Sequence, residues 1–189
     1  MRDAENINSF NMTFKPYSHY HKAIVEENIK LAENPKVIFL GQQVASEDHY
    51  STLKDISMNR RIEMPVAEEL QLSLSLGLSL EGFLPVSIYQ RCDFLPRAMD
   101  AIVNHLNCFE TLSRGLYKPK IIIVTTIGVS SPLNVGIQHN KDLTKLMKCA
   151  CNFPVFLLEN VDDVHNNFNY ATKTNESVML IAKQSLFYE

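Results

Sequence analysis

Residues 62–77 read Ile-Glu-Met-Pro-Val-Ala-Glu-Glu-Leu-Gln-Leu-Ser-Leu-Ser-Leu-Gly. A proline there closes an extended run, and the acidic pair Glu68-Glu69 opens a stretch that is otherwise apolar or small. A carboxylate is favoured beside the free N–H groups of a helix's first turn, so the pair marks a helix start. Leu70, Leu72, Leu74, Leu76, Leu78 and Leu80, with Ser73, Ser75 and Gly77 between them, predict a buried helix with an acid at its entrance. An ionisable acid withdrawn from water needs a partner for its proton or its charge, and that points to proton chemistry. The second candidate is His139, after Gln138 in a loop ahead of a helix, because an imidazole titrates near neutrality. Tyr89, Arg91 and Phe94 supply aromatic faces and a cation between a strand and a helix.

The elements that must position these groups alternate. Apolar spacing predicts an amphipathic helix over 17–32, ended by Asn34-Pro35. A continuous apolar run over 36–41 predicts a buried parallel strand. A polar loop over 42–60 and an extended lead-in at 61–64 precede the helix over 68–80, which Gly82 ends. A strand over 84–89 and a helix over 94–109 follow. The β-branched run 120–126 predicts the strongest strand. Beyond a loop at 127–140 come a helix over 141–149, a strand over 153–158, a helix over 162–173 and a strand over 177–182. Short apolar strands alternating with helices predict an α/β fold, a mainly parallel central sheet with helices on both faces. Residues 1–15 read as a flexible arm, and 16–189 as one domain.

Composition narrows the function. The chain has 189 residues, 46% of them hydrophobic and 21% charged, which excludes disorder. A net charge of −3 with scattered basic residues gives no electrostatic case for nucleic acid or an acidic membrane. Cys92, Cys108, Cys149 and Cys151 lack metal-ligand spacing and read as reduced thiols of a cytoplasmic protein. No apolar stretch reaches membrane-spanning length. There is no Gly-rich phosphate loop and no Gly-x-Ser-x-Gly elbow. Ligands of such sheets sit beyond the carboxyl ends of the strands. The residues gathered there, an acid, a histidine, aromatics and an arginine without a phosphate cradle, look like half of a site.

Five segments in order carry a resemblance: Leu40-Gly41-Gln42-Gln43-Val44-Ala45, Arg61 to Glu68, Tyr89 to Asn104, Ser113-Arg-Gly115-Leu116, and Gln138-His139-Asn140. The chain resembles the pyrimidine-binding domain of thiamine-diphosphate enzymes, in the transketolase and 2-oxo-acid dehydrogenase beta-subunit branch. The resemblance implies that Glu68 hydrogen-bonds a ring nitrogen of the cofactor's aminopyrimidine and promotes loss of the thiazolium proton. A carboxyl group out of water can share a proton with such a weakly basic nitrogen. Glu69 is the alternative, since the sequence does not set the rotation of that helix. It further implies that Tyr89, Phe94 and Arg91 line the pyrimidine, many relatives carrying an aromatic where this chain has Arg91 or Cys92. The competing reading of Tyr89 is the end of a core strand. His139 matches a histidine that faces the substrate or intermediate.

Departures from the pattern shape the rest. Gln42-Gln43 stands where relatives have an acidic pair. The family's diphosphate segment, Gly-Asp-Gly followed by Asn-Asn, occurs nowhere in the chain. The expectation is therefore a split enzyme. A second subunit would carry the diphosphate and Mg2+ sites, the cofactor would be held between two chains, and the assembly would be a heterotetramer. Its substrate would be a ketose or a 2-oxo acid, and it would make or break a C–C bond beside a carbonyl. The alternative is a non-catalytic interaction or regulatory protein that keeps the fold.

Overall fold

A computed structural model of the chain describes residues 16–129 and 136–188. The expected arm at residues 1–15 lies outside the described residues, as does part of the loop expected at 127–140. Helix α1 (His19–Glu33) opens with Ser18, whose hydroxyl accepts the His21 N–H at 3.2 Å. Strand β1 (Val37–Gly41), the turn α2 (Asp48–Ser51), strand β2 (Arg61–Glu63), helix α3 (Glu68–Leu80) and strand β3 (Leu84–Tyr89) follow. An irregular helical run then begins with a three-residue-per-turn segment, Cys92–Ala98. It widens over Ala101–His105, tightens at Leu106–Cys108, and ends as α4 (Phe109–Leu112). Strand β4 (Ile122–Ile127), α5 (Thr144–Ala150), β5 (Val155–Leu158), α6 (Val161–Lys173) and β6 (Val178–Lys183) complete the chain.

All six strands are parallel, in the order β2-β1-β3-β4-β6-β5. The chain steps from β1 out to β2 and returns to the other side of β1 as β3. The switch point therefore lies between β1 and β3. β3 is buried along its whole length and β4 at all but its last residue, the consequence of covering a parallel sheet on both faces. On one face α1 and α6 pack Tyr20, Ile24, Leu31 and Phe168, joined by Phe187 from beyond β6, over Phe39, Val86 and Leu180. On the other, α3, the irregular run and α5 pack Leu72, Leu95, Ile102 and Met147 over Ile121, Ile123 and Ile181. Each large side chain buried this way contributes about 1.5–3 kcal/mol.

Three expectations change. The extended lead-in pairs with β1 as an edge strand, Phe39 opposite Arg61 and Gly41 opposite Glu63, so the sheet has six strands where five continuous apolar runs were read. The helix expected over 94–109 is a run of mixed winding from 92 to 112. Helix α3 is not buried all round. Its inner side holds Glu68, Gln71, Leu72 and Ser75, while Leu70 is 55% and Leu74 36% exposed. The sheet covers only one side of α3, and nothing described in this chain covers the other.

The loop expected at 42–60 is organised by one buried cation. The Arg61 guanidinium donates to the carbonyl oxygens of Val44 (3.2 Å), Leu53 and Ile56, and to the carboxylate of Asp48. Around it Asp48, His49, Tyr50 and Ser51 all take positive φ, a left-handed turn that non-glycine residues adopt at a cost. Glu63, on β2, accepts the N–H groups of Gln43 (2.6 Å), Ala45 (2.7 Å) and Ser46 (3.1 Å). Partial burial works against its charged form. Those N–H groups outweigh it and hold the carboxyl below its ordinary pKa.

Candidate functional site

The rotation of α3 decides which acid faces inward. Gln71 is fully buried, and its amide donates to the Ser87 hydroxyl at 3.1 Å and the Ile88 carbonyl at 3.0 Å. That anchor ties the helix to β3, and Glu68, one turn earlier, shares its side. Glu68 is 3% exposed, whereas Glu69 points to solvent. The Glu68 carboxylate accepts from Arg97 Nε at 2.9 Å, and the arginine side chain is itself 69% exposed. Val66, Ala67, Glu68, Glu69, Leu70, Ser73 and Arg97 line a surface cavity of about 440 Å³. The acid is thus sequestered at the wall of an open cavity, with a mobile type of side chain as its counter-ion.

Tyr89 ends a core strand. It is 2% exposed, packs with Leu72, Cys92 and Leu95, and donates its hydroxyl to the Glu68 carbonyl at 3.2 Å. Burial pushes its phenol above the ordinary range, and the Cys92 thiol beside it is pushed up to about 12 for the same reason. Tyr89 thus presents no open face for stacking. It acts from beneath, holding the first turn of α3. Arg91 and Phe94 both turn to the loop after β4. Arg91 Nη1 donates to the His139 carbonyl at 3.2 Å and to Gln184 Oε1 at 2.9 Å. Phe94 meets the His139 ring edge-on, centroids 5.6 Å apart. The His139 Nδ1 atom is buried without a hydrogen-bond partner among the described residues.

The Cys92–Ala98 segment links the two groups. Phe94 and Arg97 stand three residues apart on a winding of three residues per turn, so they rise from the same side, one to His139 and one to Glu68. At the switch point the Gln90 amide donates to Gln43 Oε1, and the Thr126 hydroxyl donates to the Gln90 carbonyl. Gly41 is forced by close approach, since a Cβ there would lie 2.2 Å from the Ile88 carbonyl oxygen. Gln71, Gln90, Arg97, Gly128 and Gln184 went unassigned in the sequence. Gln71 carried a signal, an amide within an apolar run, but Arg97 and Gln184 meet their partners only through the tertiary fold.

The chain has measurable likeness to known proteins, although no family model matches it. It is 27% identical over 121 residues to the 3-methyl-2-oxobutanoate dehydrogenase subunit beta of Mycobacterium tuberculosis, covering 61% of this chain and 34% of that protein. It is 30% identical over 127 residues to the mitochondrial pyruvate dehydrogenase E1 component subunit beta of Chaetomium thermophilum, covering 65% of this chain and 32% of that one. Against 1-deoxy-D-xylulose-5-phosphate synthase of Trichormus variabilis it is 35% identical over 95 residues, 49% of this chain and 14% of that protein. The chain therefore spans about a third or less of these relatives' length. Among solved structures, a split gene transketolase described as an inactive beta4 tetramer superposes with a TM-score of 0.65 at 22% identity. The match covers 88% of this chain and 50% of that one, and it bears on the fold. The likeness read from the sequence thus holds: this chain is similar to 2-oxo-acid dehydrogenase beta subunits and to 1-deoxy-D-xylulose-5-phosphate synthase, and it shares the α/β fold of a transketolase chain.

Proposed function

We propose that this chain is the pyrimidine-binding subunit of a split thiamine-diphosphate enzyme, with Glu68 as the acid that serves the cofactor ring. The observation that carries the reading is the Glu68 carboxylate, 3% exposed yet at the wall of a cavity of about 440 Å³. Val66, Ala67 and Leu70 offer apolar walls there beside the Glu68 carboxylate, a lining that suits a flat heteroaromatic ring. When bound, the cofactor supplies the carbanion-stabilising chemistry for making or breaking a C–C bond next to a carbonyl, in a ketose or a 2-oxo acid. Glu68 holds and shares a proton at a ring nitrogen. Phe94 and Arg91, in this reading, serve the ring through the loop they grip rather than by touching it. His139 holds or passes a proton on the substrate side. Leu70 and Leu74 exclude water against a second polypeptide.

That second polypeptide carries Gly-Asp-Gly and a downstream Asn-Asn, binds the diphosphate and Mg2+, and forms a heterotetramer with this chain in the cytoplasm. No helix among the described residues is long and apolar enough to cross a membrane. The test is reconstitution of both chains with thiamine diphosphate and magnesium, assayed with a 2-oxo acid and with a ketose. Turnover that requires both chains is expected, and a stable pair that takes up no cofactor by calorimetry defeats the reading. The second reading, an interaction protein that keeps the fold, draws on the ion pair by which Arg97 already satisfies Glu68. Under that reading the pair assembles and no thiamine diphosphate binds.

A further inference from the structure

Residues 91–94 grip residues 139–141 at three points. Arg91 Nη1 holds the His139 carbonyl. The Asp93 carboxylate accepts the Lys141 N–H, both oxygens at 3.3 Å. Phe94 lies edge-on against the imidazole. The backbone is thus held on either side of the ring, and the ring itself is braced. Gln184, just past β6, takes the second Arg91 bond, so the grip is anchored to the sheet. Gly128, just past β4, makes the contact possible. A Cβ there would stand 2.0 Å from the His139 carbonyl oxygen and 2.3 Å from Arg91 Nη1, so only a residue without a side chain lets the three meet. Both acceptors of Nη1 are neutral, and a charge-assisted bond to a neutral acceptor is about twice as strong as a neutral pair.

We propose that Arg91 and Gln184 are positioning residues that fix the His139 imidazole, forming a clasp that sets its orientation for proton transfer. The assignment rests on the function proposed above, but its test does not. The bonds of the clasp run from Arg91 to the His139 carbonyl and to Gln184 Oε1. The clasp acts through the loop, by holding the His139 carbonyl in one place so that the ring can lean on Phe94. A ring held this way has one orientation, and a ring on an untethered loop samples several.

The experiment compares the wild-type chain with Arg91→Ala and Gln184→Ala, the milder change, which leaves the Arg91 bond to His139 in place. Hydrogen exchange of the peptide spanning 136–143 and the NMR signals of the His139 ring, assigned with His139→Gln, are read in the isolated chain. The expected result is exchange faster by about tenfold in Arg91→Ala and less in Gln184→Ala, from loss of a charge-assisted bond. Shifted His139 ring signals are expected with it, and added guanidinium should restore both in Arg91→Ala. In the reconstituted pair, with thiamine diphosphate and a 2-oxo acid, kcat falls while the cofactor's Kd holds. Unchanged exchange and unchanged ring signals in both variants overturn the clasp. So does a loss of protection spread over the whole chain in Gln184→Ala, which marks a general fold defect. If the wild-type pair shows no turnover, the proposed function fails, and the exchange and ring signals still decide the clasp.

Discussion

Replacing Glu68 by Gln separates function from stability. In the folded chain the substitution removes an ion pair whose arginine is largely in water, worth about 0.2–1 kcal/mol. It also removes an acid from the first turn of α3, where a negative charge is worth about 0.3–1 kcal/mol. Against these losses, taking a carboxylate out of water costs several kcal/mol, and a neutral amide of nearly the same shape is spared that cost. The balance predicts a variant as stable as the wild type or more stable, with a melting temperature raised by up to about 4 °C per kcal/mol gained. Turnover of the reconstituted pair moves the other way, falling by about 10²–10⁴-fold as a proton-sharing group is lost, while the cofactor remains bound. Thermal unfolding of the isolated chain and steady-state kinetics of the pair supply the two readouts. A melting temperature lowered by more than about 5 °C, with turnover intact, identifies Glu68 as part of the scaffold and refutes the reasoning.

Other perturbations probe the scaffold around that acid. Arg61→Met leaves three carbonyl groups and the Asp48 carboxylate without their shared cation, and should cost about 3–5 kcal/mol in urea unfolding. A cost under about 1 kcal/mol contradicts the role given to that side chain. His49 is buried, and burial followed by the nearby His21 lowers its pKa from 6.5 to about 3. The unfolded chain therefore binds the extra proton between those values, so stability falls as pH drops below about 6.5, by up to about 1.4 kcal/mol per pH unit. His49→Asn, which tolerates positive φ and does not titrate, should flatten that slope in denaturation curves recorded from pH 7 to 4.5. Leu70→Lys with Leu74→Glu changes exposed positions and should leave the isolated chain's stability within about 0.5 kcal/mol. Sedimentation should show the pair with the second polypeptide lost. A pair that forms normally rules out the outer face of α3 as the seam.

The sheet was legible where chemistry and geometry coincide. Ile121 to Thr126 reads as a strand because β-branched residues fill a surface covered on both sides, and β4 lies there. The three-residue β2 was missed because so short a run holds no alternation to detect. Composition alone made α3 a buried helix. Exposure of Leu70 and Leu74 depends on what surrounds the helix, which no local pattern encodes. The choice between Glu68 and Glu69 needed the Gln71 bond to β3, a contact across 17 residues of sequence. Arg91 drew attention as an odd residue beside a strand end. Its partners, His139 and Gln184, lie 48 and 93 residues away, and a vacancy at Gly128 admits it.

The tight coil at Cys92–Ala98 has a geometric consequence for any redesign of this domain. Three residues advance about 360° on that coil but about 300° on an ordinary α-helix. Rewinding the segment to the commoner pitch would swing Arg97 about 60° around the axis relative to Phe94, and one of the two would lose its target. Helix-favouring substitutions at exposed sites there, Pro96 foremost, would then favour the ordinary α-helix locally while pulling acid and imidazole out of step.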